Sequence, residues 1–128
     1  MKIAALSLHQ PWASMVAQGA KTIETRTWGT RHRGPLLVCA SRKPEGHGPT
    51  GCAVAVVRLV ACRPMLVTDQ RRARCKRYPR AVSWILTDAV WLRVEDRLPV
   101  RGYQRLFTVE VPDDSAVAAI VREMRRAG

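Results

Sequence analysis

The sequence predicts an α+β fold, a small mixed β-barrel with two or three helices packed on it. Three observations carry this expectation. At 128 residues the chain has room for one domain around one core, not for two. Six or seven short segments read as strands, against two or three helical ones. Strands therefore outnumber the helices that parallel crossovers need, which disfavours a doubly wound sheet and fits a small barrel better.

The elements follow in order. Ile3–Leu8 is a short apolar run, a buried strand. Pro11 suits the first turn of a helix, where its missing N–H costs nothing. Trp12, Met15 and Val16 continue at helical spacing, and Gly19 stands where a left-handed cap belongs, so a helix is expected over about 11–18 with Trp12 in the core. Thr22–Trp28 alternates and is β-branched, hence a strand; Gly29–Gly34 is a polar turn; Pro35–Ser41 is a second apolar strand. Arg42–Gly51, with Pro, Gly and His, reads as a loop. Cys52–Cys62 is a long Val-rich strand interrupted by Arg58. Thr68 would cap a short basic helix reaching about Arg77. Ala81–Thr87 and Val90–Val94 read as strands joined by a turn at Asp88-Ala89, with Trp84 and Trp91 packing inside the barrel. Pro99–Gly102 is a linker and Leu106–Val111 a last strand. Asp113, Asp114 and Ser115 offer N-caps for a final helix that carries Val117, Ile120, Val121 and Met124 on one face.

Composition narrows the class. Apolar residues at 47% and charged residues at 25% exclude a disordered or fibrous chain. The longest apolar run, Cys52–Val57, stops at Arg58, far short of a bilayer span, so no membrane partner is expected. Met1–Leu8 is too short for a signal peptide and runs straight into His9-Gln10-Pro11-Trp12 without a cleavage site, so a cytoplasmic protein is expected. Cys39, Cys52, Cys62 and Cys75 form no C-x-x-C pair, and His9, His32 and His47 stand singly. Neither a metal nor another cofactor is expected, and Cys39 and Cys62 read as buried thiols of a reducing compartment.

Charge points to a partner. Basic residues outnumber acidic ones 22 to 10, a net charge of +12, and all but Lys2, Lys21, Lys43 and Lys76 are arginine. Such self-repulsion suits a polyanionic partner, and the planar guanidinium both forks onto phosphate and stacks on bases. Arg71, Arg72, Arg74, Lys76, Arg77 and Arg80 cluster in one stretch, Arg122, Arg125 and Arg126 in another; each reads as an exposed face able to lie along a phosphate backbone.

Leu6-Ser7-Leu8-His9-Gln10-Pro11-Trp12-Ala13, Gly19-Ala20-Lys21-Thr22-Ile23-Glu24-Thr25-Arg26-Thr27-Trp28 and Arg33-Gly34-Pro35-Leu36-Leu37 together resemble the ASCH domain family of the PUA-like superfamily. Gly19, Lys21, Glu24 and Arg26 match its G-x-K-x-x-E-x-R segment, and the stretches at Arg63-Pro64-Met65, Ala81–Trp84 and Val100–Phe107 resemble its later parts. The likeness spans about residues 4–112 of a single domain covering 1–128 and leaves the final helix, 113–128, outside. It implies a small β-barrel with a cleft beside the motif, and RNA binding, with some members in transcription coactivators. It equally implies amidohydrolase action on N4-acetylcytidine or ribonuclease activity in some small members, so membership does not choose between module and enzyme.

In a strand Thr22, Glu24 and Arg26 share one face and Ile23 and Thr25 the other, so Glu24 and Arg26 would pair or frame a polar ligand. Lys21 has no direction fixed by the sequence; an amine buried near Arg26 would have a lowered pKa and serve as a base. Arg33 would meet a phosphate, Trp28 would stack on a base, and Tyr103 and Gln104 would line the cleft and read a base edge. The small amidohydrolases that this segment resembles use a Thr three residues after the Lys, where Glu24 stands here; Thr22 and Thr25 have the wrong offset. The expected function is an RNA- or DNA-binding module whose cleft holds one nucleotide, an ordinary or a modified one, with Arg71, Arg72, Arg74 and Arg77 on the backbone. The alternative is a hydrolase of an acylated nucleoside or RNA, with Glu24 positioning water and Lys21 stabilising an oxyanion.

Overall fold

In the computed structural model, which describes residues 1–43 and 46–128, six strands form one mixed sheet. In chain order the elements are β1 (Lys2–Leu8), α1 (Trp12–Ala17), β2 (Ile23–Arg26), β3 (Gly34–Ala40), β4 (Cys52–Pro64), α2 (Gln70–Ala73), β5 (Val82–Trp91), β6 (Phe107–Glu110) and α3 (Ala116–Ala127). The strand order is β2-β5-β4-β3-β1-β6; β1 and β3 run parallel and every other neighbour pair is antiparallel. Residues 44 and 45 of the expected Arg42–Gly51 loop lie outside the described residues. Among the described residues no helix is long and apolar enough to cross a membrane.

The unbroken apolar runs are explained by cover on both faces. Alternate residues of β3 go opposite ways: Leu36, Val38 and Ala40 pack with Ala13, Val16 and Ala17 of α1, whereas Leu37 and Cys39 pack with Val117, Ala118, Val121 and Met124 of α3. β1 divides likewise, Leu6 and Leu8 toward α1, Ile3 and Ala5 toward α3. Each fully buried Val or Leu contributes roughly 1.5–3 kcal/mol, which is why α3 packs on the sheet. Its start is as expected: Ser115 Oγ accepts the Ala118 N–H at 3.1 Å.

Several expectations are corrected. The sheet has two ends, β2 and β6, and does not close into a barrel. Four-residue β2 pairs only with β5, and its far side reaches β1 through a side chain, Arg26 Nη2 donating to the Ser7 carbonyl at 2.8 Å. The two strands expected around Asp88-Ala89 are one continuous β5; Asp88 has φ +55° and the pairing with β4 shifts there, so the apparent turn is a bulge. The basic helix is a 3₁₀ turn, Val67–Asp69, followed by one α-turn ending at Ala73, because Arg74 is left-handed. Asp69, not Thr68, anchors it. Its buried carboxylate accepts a fork from Arg63 (2.6 and 2.9 Å), the Leu66 N–H (2.9 Å) and the Ser83 hydroxyl (3.0 Å). The Arg63 bonds above all hold that carboxyl well below its ordinary value. Trp84 is fully buried as expected, but Trp91 is 49% exposed at the end of β5.

Candidate functional site

A cleft opens where the parallel pair ends. Leu8 of β1 lies opposite Ala40 of β3, so both chains leave the sheet at one place. The end of β1 supplies Ser7 and Leu8, followed by His9 and by Trp12 at the start of α1; beyond β3 come Ser41 and Arg42. Edge strand β2 adds Glu24 and Arg26, and the segment before β6 adds Arg101, Gly102, Tyr103 and Gln104. Together they line a cavity of about 910 Å³, in the size range of small-molecule sites. Gly102 permits the approach of that last segment: a Cβ there would stand 2.5 Å from Ser7 Oγ.

Behind the cleft lies a buried charge cluster. Arg26 Nε donates to Glu24 Oε2 at 2.9 Å, as the shared strand face predicts. Lys21 Nζ lies 3.6 Å from Glu24 Oε1, and Lys21 is only 4% exposed, its ammonium donating to the Ala73 carbonyl at the end of α2. Burial pushes the Lys21 amine below its usual range, with Glu24 opposing. Lys21 is thus turned into the protein behind Glu24; it does not line the cavity. Arg26 is a brace: besides Glu24 it donates to the Ser7 carbonyl and, at 3.4 Å, to the Gln104 carbonyl, tying β2, β1 and the 101–104 segment together.

Trp12 overturns the core expectation. It is 40% exposed and lines the cleft, with Lys21 Nζ 5.5 Å from its ring centroid. His9 is the other unforeseen wall residue. Its Nδ1 lies 2.8 Å from both the Lys43 carbonyl and Ser41 Oγ, and Ser41 itself donates to that carbonyl at 2.7 Å. A carbonyl only accepts, so Nδ1 carries a hydrogen toward it. The sequence signal for both was Ser7, His9 and Trp12 interleaved with apolar residues at the strand end.

The remaining predicted residues are dispersed. Tyr103 and Gln104 line the cleft, Tyr103 resting against Phe107 with centroids 5.2 Å apart. Trp28 does not line it. Its ring meets Trp84 edge-on (5.1 Å, 89°), Trp84 Nε1 donates to its carbonyl, and Arg105 and Arg26 flank it at 5.1 and 5.9 Å. Arg33 is exposed and turns back on the Thr30 and His32 carbonyls. Arg71, Arg72, Arg74 and Arg77 are exposed on and after α2, outside the cleft; Arg72 Nε donates to Thr22 Oγ1 and Arg74 Nε to the Ala20 carbonyl, fastening this segment to the start of β2. Thr25 faces Cys75, Oγ1 to Sγ 3.6 Å. Among the described residues no three His, Cys, Asp or Glu side chains converge as metal ligands.

Comparison with known proteins places this geometry. The ASCH domain family model matches residues 6–111. A stretch of 38 residues is 53% identical to activating signal cointegrator 1 of Homo sapiens, and equally to that of Mus musculus; it covers 30% of this chain and 6% of the relative's length. The crystal structure of ASCH from Zymomonas mobilis is similar with a TM-score of 0.65 at 17% identity, over 84% of this chain and 87% of that one. A point variant of the same protein gives 0.63 at 20% identity, over 86% and 91%. Identities this low establish a shared fold.

Proposed function

This chain belongs to the ASCH domain family, and on that premise we propose that it is a nucleic-acid-binding module, with RNA the favoured partner. One nucleotide enters the cleft and the arginine-rich surface holds the neighbouring phosphates. The single observation that carries this reading is the cleft itself: about 910 Å³ in volume, with Trp12 and Tyr103 for a base, the Glu24–Arg26 pair for its edge, and exposed Arg42 and Arg101 for phosphate. A net charge of +12 supplies the long-range attraction. Cys39, Cys52, Cys62 and Cys75 are all free thiols, which suits a cytoplasmic, reducing setting.

Salt titration of binding to a nine-nucleotide single strand tests it. Each phosphate contact adds about 0.7 to the log–log slope. Arg42→Ala and Arg101→Ala are expected to weaken binding more than changes at Arg122, Arg125 and Arg126. A flat salt response refutes the module, and equal losses everywhere refute the cleft as its centre.

Hydrolysis of an acylated nucleoside or of RNA is the second reading, favoured by a carboxylate that lines the cleft with an amine 3.6 Å behind it. Against it, the Lys21 ammonium is turned behind Glu24 onto the Ala73 carbonyl and does not line the cleft, so it does not face an oxyanion held there. Turnover of N4-acetylcytidine or short RNA that vanishes in Lys21→Ala and Glu24→Ala would establish the enzyme; binding without turnover supports the module.

A further inference from the structure

We propose that the turn Tyr78–Ala81 is a second contact for a nucleic-acid strand, outside the cleft, where Arg80 holds a phosphate and Tyr78 offers its ring to a base; this rests on the nucleic-acid reading above.

Backbone conformation singles out Arg80. The Ala81 N–H donates to the Tyr78 carbonyl at 3.1 Å, closing a turn with Pro79 second and Arg80 third. Proline fixes its φ at about −65°, and Arg80 has φ +64°, so the turn is of type II, whose third position favours glycine because a Cβ there is strained. Arginine at that place costs the free protein stability. Arg80 is exposed, and among the described residues its guanidinium has neither a hydrogen-bond nor an ion-pair partner to offset the cost. Arg74 is also left-handed, at φ +61°, but its Nε holds the Ala20 carbonyl at 3.1 Å. Strain that no internal contact offsets points to a role toward something outside the chain.

The surroundings specify that something. Six cations, Arg71, Arg72, Arg74, Lys76, Arg77 and Arg80, stand between Gln70 and Val82 with no acidic residue among them, and the adjacent Asp69 is buried beneath Arg63. The segment is fixed before any partner arrives. Arg72 Nε donates to Thr22 Oγ1, Lys21 to the Ala73 carbonyl, and the Arg77 N–H to Gln70 Oε1 at 2.8 Å, so little ordering is left for binding. A guanidinium forks onto phosphate, and exposed Tyr78 adds an aromatic face that an acidic peptide would leave unused. Val82, two residues on, pairs with Arg26 of the cleft wall. The Arg80 Cα is therefore within about 12 Å of the Arg26 Cα, and one strand can engage both.

Arg80→Gly separates binding from structure. Glycine relieves the backbone, so the variant is expected to melt no lower than the parent. It should bind the nine-nucleotide strand about fivefold more weakly, with a log–log salt slope lower by about 0.7. Arg80→Lys restores the charge on the same backbone and keeps the slope. Tyr78→Ala weakens the strand at unchanged slope; unaltered affinity there removes the base contact. Parental affinity and slope in Arg80→Gly overturn the proposal and leave the cleft module standing. A lower melting temperature overturns it as well, because Arg80 would then be structural. A nine-residue glutamate peptide bound as tightly as the strand overturns the assignment to nucleic acid at this turn. No binding of the strand by the unaltered protein at low salt ends both this proposal and the reading it rests on.

Discussion

Replacing Lys21 by methionine tests the buried charge cluster on which the cleft wall stands. Methionine keeps much of the apolar stem beneath Trp12 and deletes the ammonium. Two costs follow. The Ala73 carbonyl loses its donor, worth about 1–3 kcal/mol for a buried unsatisfied group. Glu24 keeps Arg26 at 2.9 Å but loses the cation at 3.6 Å; complete rupture of a buried pair costs about 3–5 kcal/mol, so partial rupture adds about 1 kcal/mol. The net loss is about 2–4 kcal/mol. For a chain of 128 residues each kcal/mol moves the melting temperature by about 4 °C, giving a fall of about 8–16 °C. Thermal unfolding followed by circular dichroism measures this, with exposed Lys76→Met as the control that should move little. A Lys21→Met protein melting within 2 °C of the parent would refute the account of the Lys21 ammonium as the link between the Ala73 carbonyl and Glu24.

Three further outcomes are expected. Asp69→Asn removes the charge and one of the two oxygens that accept the Arg63 fork, and should lose about 1–3 kcal/mol at neutral pH. Because the folded Asp69 carboxyl titrates below its ordinary 3.8, its stabilisation is present above that pH and lost as pH falls through the folded value; the variant's acid unfolding should lack that component. The Cys39 thiol is pushed from 9.0 up to about 12 by burial, so above pH 9 the unfolded chain releases this proton first and stability falls by about 1.4 kcal/mol per pH unit until about 12; Cys39→Ala should flatten that alkaline limb in denaturant titrations. Gly102→Ala would place a methyl 2.5 Å from Ser7 Oγ; it should displace the 101–104 segment and weaken strand binding severalfold, with Ser7→Ala partly restoring it.

Local patterns explain why much of the fold was legible. Alternation in β2 set Glu24 and Arg26 on one face, and they do pair. The Ser115 cap and the Val117, Val121 and Met124 spacing marked α3, because capping and helical periodicity involve residues within four positions of each other. Where the pattern misled, a distant partner decided. The β-branched and turn-like residues around Asp88 look like two strands, yet pairing along β4 carries β5 through a bulge. Trp12 sits at a helical position that reads as core, but it is the first residue of α1, just past the end of β1, and its ring is left in the cleft.

By itself the sequence determined the α+β class, most of the elements, the motif that groups Gly19, Lys21, Glu24 and Arg26, and the +12 charge that asks for an anionic partner. Only the tertiary structure decided where Lys21 points, that Arg26 braces β2 against β1 and the 101–104 segment, and that the sheet stays open. The reason is distance along the chain: Lys21 is held by Ala73, 52 residues away, and Arg26 reaches Gln104, 78 residues away. Periodicity reports which face a side chain takes; only the packed chain reports what waits there.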